Sequence, residues 1–149
     1  MKIVKNIVYV KPGIEGTADL IGAVAERVKE LNITIVAVAS SNGKSAVKIA
    51  ETLKGVAKVM SVTEFTYGDE VKGAMKKLGV AAIERAELPI QDRREVRDAL
   101  LTFGAGVKAA LEVASIAAEK EGSPPGKLIA VAGGGGSLDT ALVVRPART

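Results

Sequence analysis

Apolar residues along this chain keep two rhythms in alternation. Short unbroken runs of strand length, "KNIVYV" (5–10), "ITIVAVA" (33–39), "AKVMSV" (57–62) and "KLIAVA" (127–132), are rich in β-branched side chains and end at polar or breaker residues. Between them the apolar positions recur every three or four residues, as on one face of a helix. Thr17 reads as a helix cap, and Leu20, Val24, Val28 and Leu31 stripe a helix that ends near Asn32. Ala46, Ile49 and Leu53 stripe a second helix, closed by Gly55, and Val71, Met75 and Leu78 a third, closed by Gly79. "VAAIERA" (80–86) predicts a shorter, more polar strand. The longest helix is predicted over Glu95 to Lys120, where Val96, Leu100, Phe103, Val107, Leu111 and Ala114 hold the spacing. "SPPG" (123–126) breaks the chain before strand 127–132, and "ALVVR" (141–145) is the last strand.

Runs without polar alternation suit parallel strands buried on both faces. Strand and helix alternate about four times, which predicts an α/β protein: a three-layer α/β/α sandwich around a mostly parallel sheet with right-handed crossovers. The last strand is the exception. Only "GGGGSLDT" (133–140) separates it from its predecessor, less than the dozen or so residues of a parallel crossover, so it is expected to run antiparallel. No repeat and no composition shift divides the sequence. Its 149 residues suit a single domain, 1–149, that buries about two thirds of the surface of its unfolded chain.

Composition narrows the chemistry more than the fold. Cysteine and histidine are both absent, which removes disulfides, thiolate and imidazole metal sites and every cysteine or histidine nucleophile system. Any acid or base must come from Asp, Glu, Lys, Arg or the two tyrosines. Hydrophobic residues make up 48% and charged ones 26%, and no apolar run approaches the ~20 residues that span a bilayer, so no membrane partner is expected. "MKIVKNIVYVKPG" lacks the uninterrupted apolar core and cleavage site of a secretory signal, which points to the cytoplasm. A net charge of +4 attracts anions mildly, but the basic residues are scattered and aromatics are only 3%, which argues against nucleic acid as a partner.

In open α/β sheets ligands collect at the carboxyl ends of the strands. Four loops are expected there: Lys11 to Thr17, Ser40 to Ser45, Ser61 to Asp69 and Gly133 to Thr140. In the second, Gly43-Lys44-Ser45 matches the end of the nucleotide-binding pattern GxxxxGK[ST], but Val38 stands where that pattern begins with glycine. A standard ATPase loop is therefore not expected. Two readings of the loop stay open. Ser40, Ser41, Asn42, Gly43, Lys44 and Ser45 could hold a phosphate at a helix N-terminus, with amides, hydroxyls and one ammonium as donors. Alternatively, Ser41 or Asn42 simply caps the helix beside a glycine turn. The run Gly133 to Gly136, followed by Ser137, Asp139 and Thr140, lets the backbone approach a ligand closely or serves as a hairpin loop. Phe103-Gly104-Ala105-Gly106 within the long helix marks close packing by another helix, a subunit or a ligand. Glu64, Tyr67, Asp69 and Glu70 could exchange protons, or be solvated loop charges.

In this order the motifs resemble the C-terminal domain of pyruvate kinase, and more closely the small stand-alone archaeal and bacterial proteins related to it. The segments that carry the resemblance are "YVKPGIEGTADL", "VAVASSNGKSA", "VMSVTEFTYGDE", "FGAGVKAALEVASIAAEKEG" and "LIAVAGGGGSLDTALVVRPA", which together span nearly the whole chain. The resemblance implies the three-layer fold of that domain, with its antiparallel last strand. It implies that the loop like "SSNGKSA" binds the phosphate of a sugar-phosphate effector and that Gly134, Gly135, Gly136, Ser137, Asp139 and Thr140 close over the same ligand. For the stand-alone relatives it implies a flavin mononucleotide (FMN) site in this cleft. The catalytic site of pyruvate kinase lies in another domain, so that activity is not expected. The chain departs from the relatives where they carry a histidine-containing segment and it has Glu64-Phe65-Thr66-Tyr67; it also lacks much of their loop before the long helix and an extension beyond "VVRPA". The expected function is thus binding or sensing of a phosphorylated small molecule. The rivals are a flavin-dependent or phosphometabolite-converting enzyme using Glu64, Tyr67 or Asp139, and a homo-oligomeric assembly module with a vestigial cleft.

Overall fold

The computed structural model describes residues 13–122, 126–133 and 137–146. The strand expected at 5–10, the "SPP" break, and Gly134, Gly135 and Gly136 lie outside them. Among the described residues, five helices and five strands follow in the order α1 (Ile14–Leu31), β1 (Ile35–Ala39), α2 (Lys44–Thr52), β2 (Lys58–Val62), α3 (Asp69–Leu78), β3 (Ala81–Ile83), α4 (Arg94–Leu101), α5 (Ala105–Glu121), β4 (Leu128–Ala132) and β5 (Thr140–Val144). They build one sheet in the order β3-β2-β1-β4-β5. The first three neighbouring pairs are parallel, and β5 runs antiparallel to β4 with Ala132 opposite Thr140, as the short connection requires.

Alternation along the strands creates the three layers, because successive side chains leave a strand on opposite faces. Val36, Val38, Val59, Ile129 and Val131 face one cluster with Leu20, Val24 and Val28 of α1, Ala46 and Ile49 of α2, and Met75 of α3. Ile35, Ala37, Met60, Leu128 and Ala130 face the other, with Ala110, Val113, Ala114 and Ala117 of α5. The central strands β1 and β4 are buried on both faces, which is why their sequences carry no polar alternation.

The chain steps outward from β1 through β2 to β3, then returns through α4 and α5 on the other face to insert β4 beside β1. The direction of winding therefore reverses between β1 and β4. At such a switch point the connections leave on opposite faces and a crevice opens at the strands' carboxyl ends.

Two helix assignments need correction. The expected helix 95–120 is two helices, interrupted at Gly104, whose φ of 110° and ψ of 151° lie in a region that essentially only glycine occupies. Three successive amides, of Thr102, Phe103 and Gly104, reach back only three residues as α4 winds out. The apolar stripe read through this stop is not one buried face: Val96 and Phe103 are exposed, and α5 packs through Ala110, Val113, Ala114 and Ala117 instead. The first helix begins at Ile14, so Thr17 is in its first turn rather than at its cap. Its hydroxyl donates back to the Gly13 carbonyl and accepts the Leu138 amide at 3.2 Å, tying α1 to the loop before β5.

Candidate ligand cavity at the sheet switch point

A cavity of about 400 Å³ occupies the crevice beyond β1, β2 and β4. One wall comes from the β1–α2 loop: Ser40, Ser41, Asn42 and Ser45 line it, joined from across the switch point by Gly133 and Ser137. Thr63, Glu64 and Phe65, after β2, form a second side. The wall opposite is α5, through Lys108, Ala109, Glu112 and Val113, with Leu88 and Gln91 from the loop that precedes α4.

Local hydrogen bonds fix the β1–α2 loop. The Ser40 hydroxyl accepts the Gly43 amide at 3.0 Å and Asn42 Oδ1 accepts the Lys44 amide at 3.0 Å. The N-cap itself is Gly43, with no side-chain capping bond, so neither Ser41 nor Asn42 caps α2 as one of the two sequence readings expected; Asn42 instead closes a turn onto the first helical residue. Gly43 adopts φ 77°, and a side chain there would run into Met75 and Val71. Its glycine is required by packing against α3, not by a ligand. The next two amides, of Ser45 and Ala46, have no acceptor among the described residues. They are the unpaired donors of the α2 N-terminus, where the helix dipole favours negative charge.

The candidate residues therefore divide. Ser40, Ser41, Asn42, Ser45 and Ser137 share the cavity. Gly43 and the exposed Lys44 do not line it, although they belong to the same loop. Asp139 and Thr140 also stand apart: the Thr140 hydroxyl donates to Asp139 Oδ1 at 2.6 Å, and both side chains fill the space that a side chain at Gly106 would need. That contact explains the second glycine of "FGAG". The close approach is to the start of β5.

Of Glu64, Tyr67, Asp69, Glu70 and Asp139, the groups considered for proton transfer, only Glu64 lines the cavity. Tyr67 is buried, its hydroxyl 2.7 Å from Ser61 Oγ and donating to the Ser40 carbonyl at 3.1 Å. Burial pushes its pKa up; the Ser61 hydrogen bond pulls it down less, and Glu84 adds a further rise. Tyr67 therefore anchors the floor of the β1–α2 loop as a neutral phenol. Its amide donates to Glu84 Oε1 at 2.6 Å, and this bond, with Lys72 nearby, holds the Glu84 carboxyl below the ordinary carboxylate range.

Sequence reasoning missed Lys108 and Glu112, which dominate the electrostatics of the cavity. Both are buried, at 9% and 1% exposure. The Lys108 ammonium pairs with Glu112 Oε1 at a contact whose angle is not that of a hydrogen bond, and donates to Gln91 Oε1. Glu112 Oε2 accepts the amides of Ile90 and Gln91 at 3.0 and 3.1 Å, so it also pins the loop over the cavity. The available signal was a Lys and a Glu four residues apart in the buried row that continues to Ile116, an unusual place for unpaired charge.

Comparison with known proteins bears on the fold. No family model matches the chain. Among solved structures, it is similar to a Cryptosporidium parvum pyruvate kinase in complex with ADP, with a TM-score of 0.51 and 17% identity over 95% of this chain. The fold is pyruvate kinase-like. The chain spans only 25% of that enzyme's length, and at this identity the likeness concerns architecture alone. Among the described residues of this pyruvate kinase-like fold, no helix is long and apolar enough to cross a membrane.

Proposed function

We propose that the chain is a stand-alone domain of the pyruvate kinase C-terminal type, which binds a phosphorylated small molecule in this cavity in the cytoplasm, without pyruvate kinase activity. The observation that carries the reading is the convergence of Ser41, Ser45 and Ser137 on a cavity that also receives the unpaired N-terminus of α2. Its volume, about 400 Å³, falls within the ~300–1,000 Å³ of small-molecule sites. FMN fits the donor set: the hydroxyls and the Ser45 amide would take its phosphate, while Phe65, Leu88 and Val113 offer apolar surface to a ring. A sugar phosphate uses the same phosphate end.

The absorption spectrum of freshly purified protein tests the flavin version: a yellow, flavin-like spectrum supports it. Colourless protein that also fails to take up added FMN removes it. Thermal shifts against FMN and sugar phosphates test the wider reading, because saturation at 100 times Kd stabilises by about 2.7 kcal/mol. The shift should disappear in Ser41→Ala/Ser45→Ala. If that variant keeps every shift, the phosphate assignment is wrong.

A homo-oligomeric assembly module is the second reading, favoured by α4, which buries no residue and leaves Val96 44% and Leu101 43% exposed, and by Phe103 just beyond its end, 73% exposed. Light scattering of wild type and Phe103→Ser decides it. A monomer at all concentrations removes this reading.

A further inference from the structure

The two walls of the cavity differ in charge, and the difference restricts the ligand. Lys108 is the one cationic side chain among the described lining residues. Its charge is already matched by Glu112, and Glu64 adds a second carboxylate to the lining. The ammonium donates one of its three N–H groups to Gln91 and meets Glu112 Oε1 as an ion pair rather than a hydrogen bond, which leaves donor capacity for a ligand. The carboxamide NH₂ of Gln91, an exposed residue that lines the cavity, adds neutral donors.

A second phosphate against α5 would share one ammonium with a buried carboxylate and face Glu64 as well, both repulsive in a partly desolvated site. A carbonyl or hydroxyl oxygen would instead complete the donor set of Lys108 without added charge. The α2 wall is the reverse, with unpaired amides, hydroxyls and no carboxylate.

Resting on the phosphate reading above, we infer that the cavity is two-ended. Its α2 end takes one phosphate, and Lys108 with Gln91 reads a neutral oxygen acceptor at the other, so the ligand is a phosphate monoester of a carbonyl- or hydroxyl-bearing body and not a bisphosphate.

Titration calorimetry with FMN, fructose 6-phosphate, fructose 1,6-bisphosphate and inorganic phosphate tests this. At least one monoester should bind, and the bisphosphate should bind about tenfold more weakly than fructose 6-phosphate or not at all. Lys108→Met/Glu112→Gln keeps an acceptor for the Ile90 and Gln91 amides and removes both charges. It should weaken the bound monoester by about tenfold or more, the worth of a charge-assisted hydrogen bond, and leave inorganic phosphate within about twofold of wild type. Circular dichroism shows whether it folds; if it does not, Gln91→Ala on the exposed loop gives the same comparison, with a smaller loss expected for the monoester alone. Tighter binding of the bisphosphate, or a monoester bound by the folded variant as by wild type, overturns the inference and leaves the phosphate reading standing. If wild type binds none of the probes, the phosphate reading falls and takes this inference with it.

Discussion

Replacing Gly43 by alanine separates two explanations for the glycine in "SSNGKSA". At φ 77° and ψ −9° the residue is left-handed, which costs a side chain about 1–2 kcal/mol. A Cβ there would stand 2.5 Å from Met75 Cε and 2.6 Å from Val71 Cγ1, well inside normal contact. The Met75 methyl can swing away, but Val71 has little freedom at χ1, so crowding should add about 1–3 kcal/mol. Gly79 is the control. It is left-handed too, at φ 70° and ψ 25°, but a Cβ there meets nothing within 4 Å. Gly79→Ala should therefore register strain alone, about 1 kcal/mol, and Gly43→Ala about 2–4 kcal/mol, once the entropy that alanine removes from the unfolded chain is common to both. Urea denaturation with an unchanged slope reads the difference directly. Equal losses in the two variants would mean that α3 does not crowd Gly43 and that the left-handed backbone alone calls for the glycine.

Tyr67→Phe should cost about 1–3 kcal/mol, because the Ser40 carbonyl and Ser61 hydroxyl lose a buried partner; the urea midpoint measures it. With its pKa raised in the folded state, Tyr67 contributes stability that is fully present below its ordinary value near 10.0 and lost as pH rises through the folded pKa. Wild type should therefore lose stability above about pH 10 more steeply than Tyr67→Phe, and parallel alkaline limbs would contradict this. Glu84 has the opposite sign: its lowered pKa gives stability present above its ordinary 4.5 and lost as pH falls through the folded value. Glu84→Gln should flatten that acid limb in pH-dependent thermal melts. Glu112→Leu strands the buried Lys108 and two loop amides and should cost about 3–5 kcal/mol by chemical denaturation, whereas Glu112→Gln, which still accepts those amides, should cost distinctly less.

How far the sequence was legible depended on whether neighbouring residues carried the information. The runs at 33–39, 57–62 and 127–132 announced buried strands because a strand covered on both faces has no polar side to show. Gly79 announced the end of α3 because its left-handed cap needs glycine locally. The break at Gly104 was illegible by periodicity, and the true start of α1 was displaced by Thr17, a residue whose hydroxyl serves Leu138, 121 positions away. In the cavity, the serines were legible because they cluster in one loop. Lys108 and Glu112 were not, since a Lys and a Glu one helical turn apart ordinarily mark a solvated face.

The sequence by itself determined the α/β alternation, the buried strands and the antiparallel return of β5, because each follows from side-chain period or connection length, which are local quantities. Only the tertiary structure decided that β4 enters beside β1, that the Ser40–Ser45 loop therefore faces α5, and that Gly43 serves packing while Ser41, Ser45 and Ser137 share a cavity with a buried ion pair. Strand order is set by which apolar faces cover one another across the whole chain, and burial turns an ordinary i, i+4 pair into the charge that dominates a site.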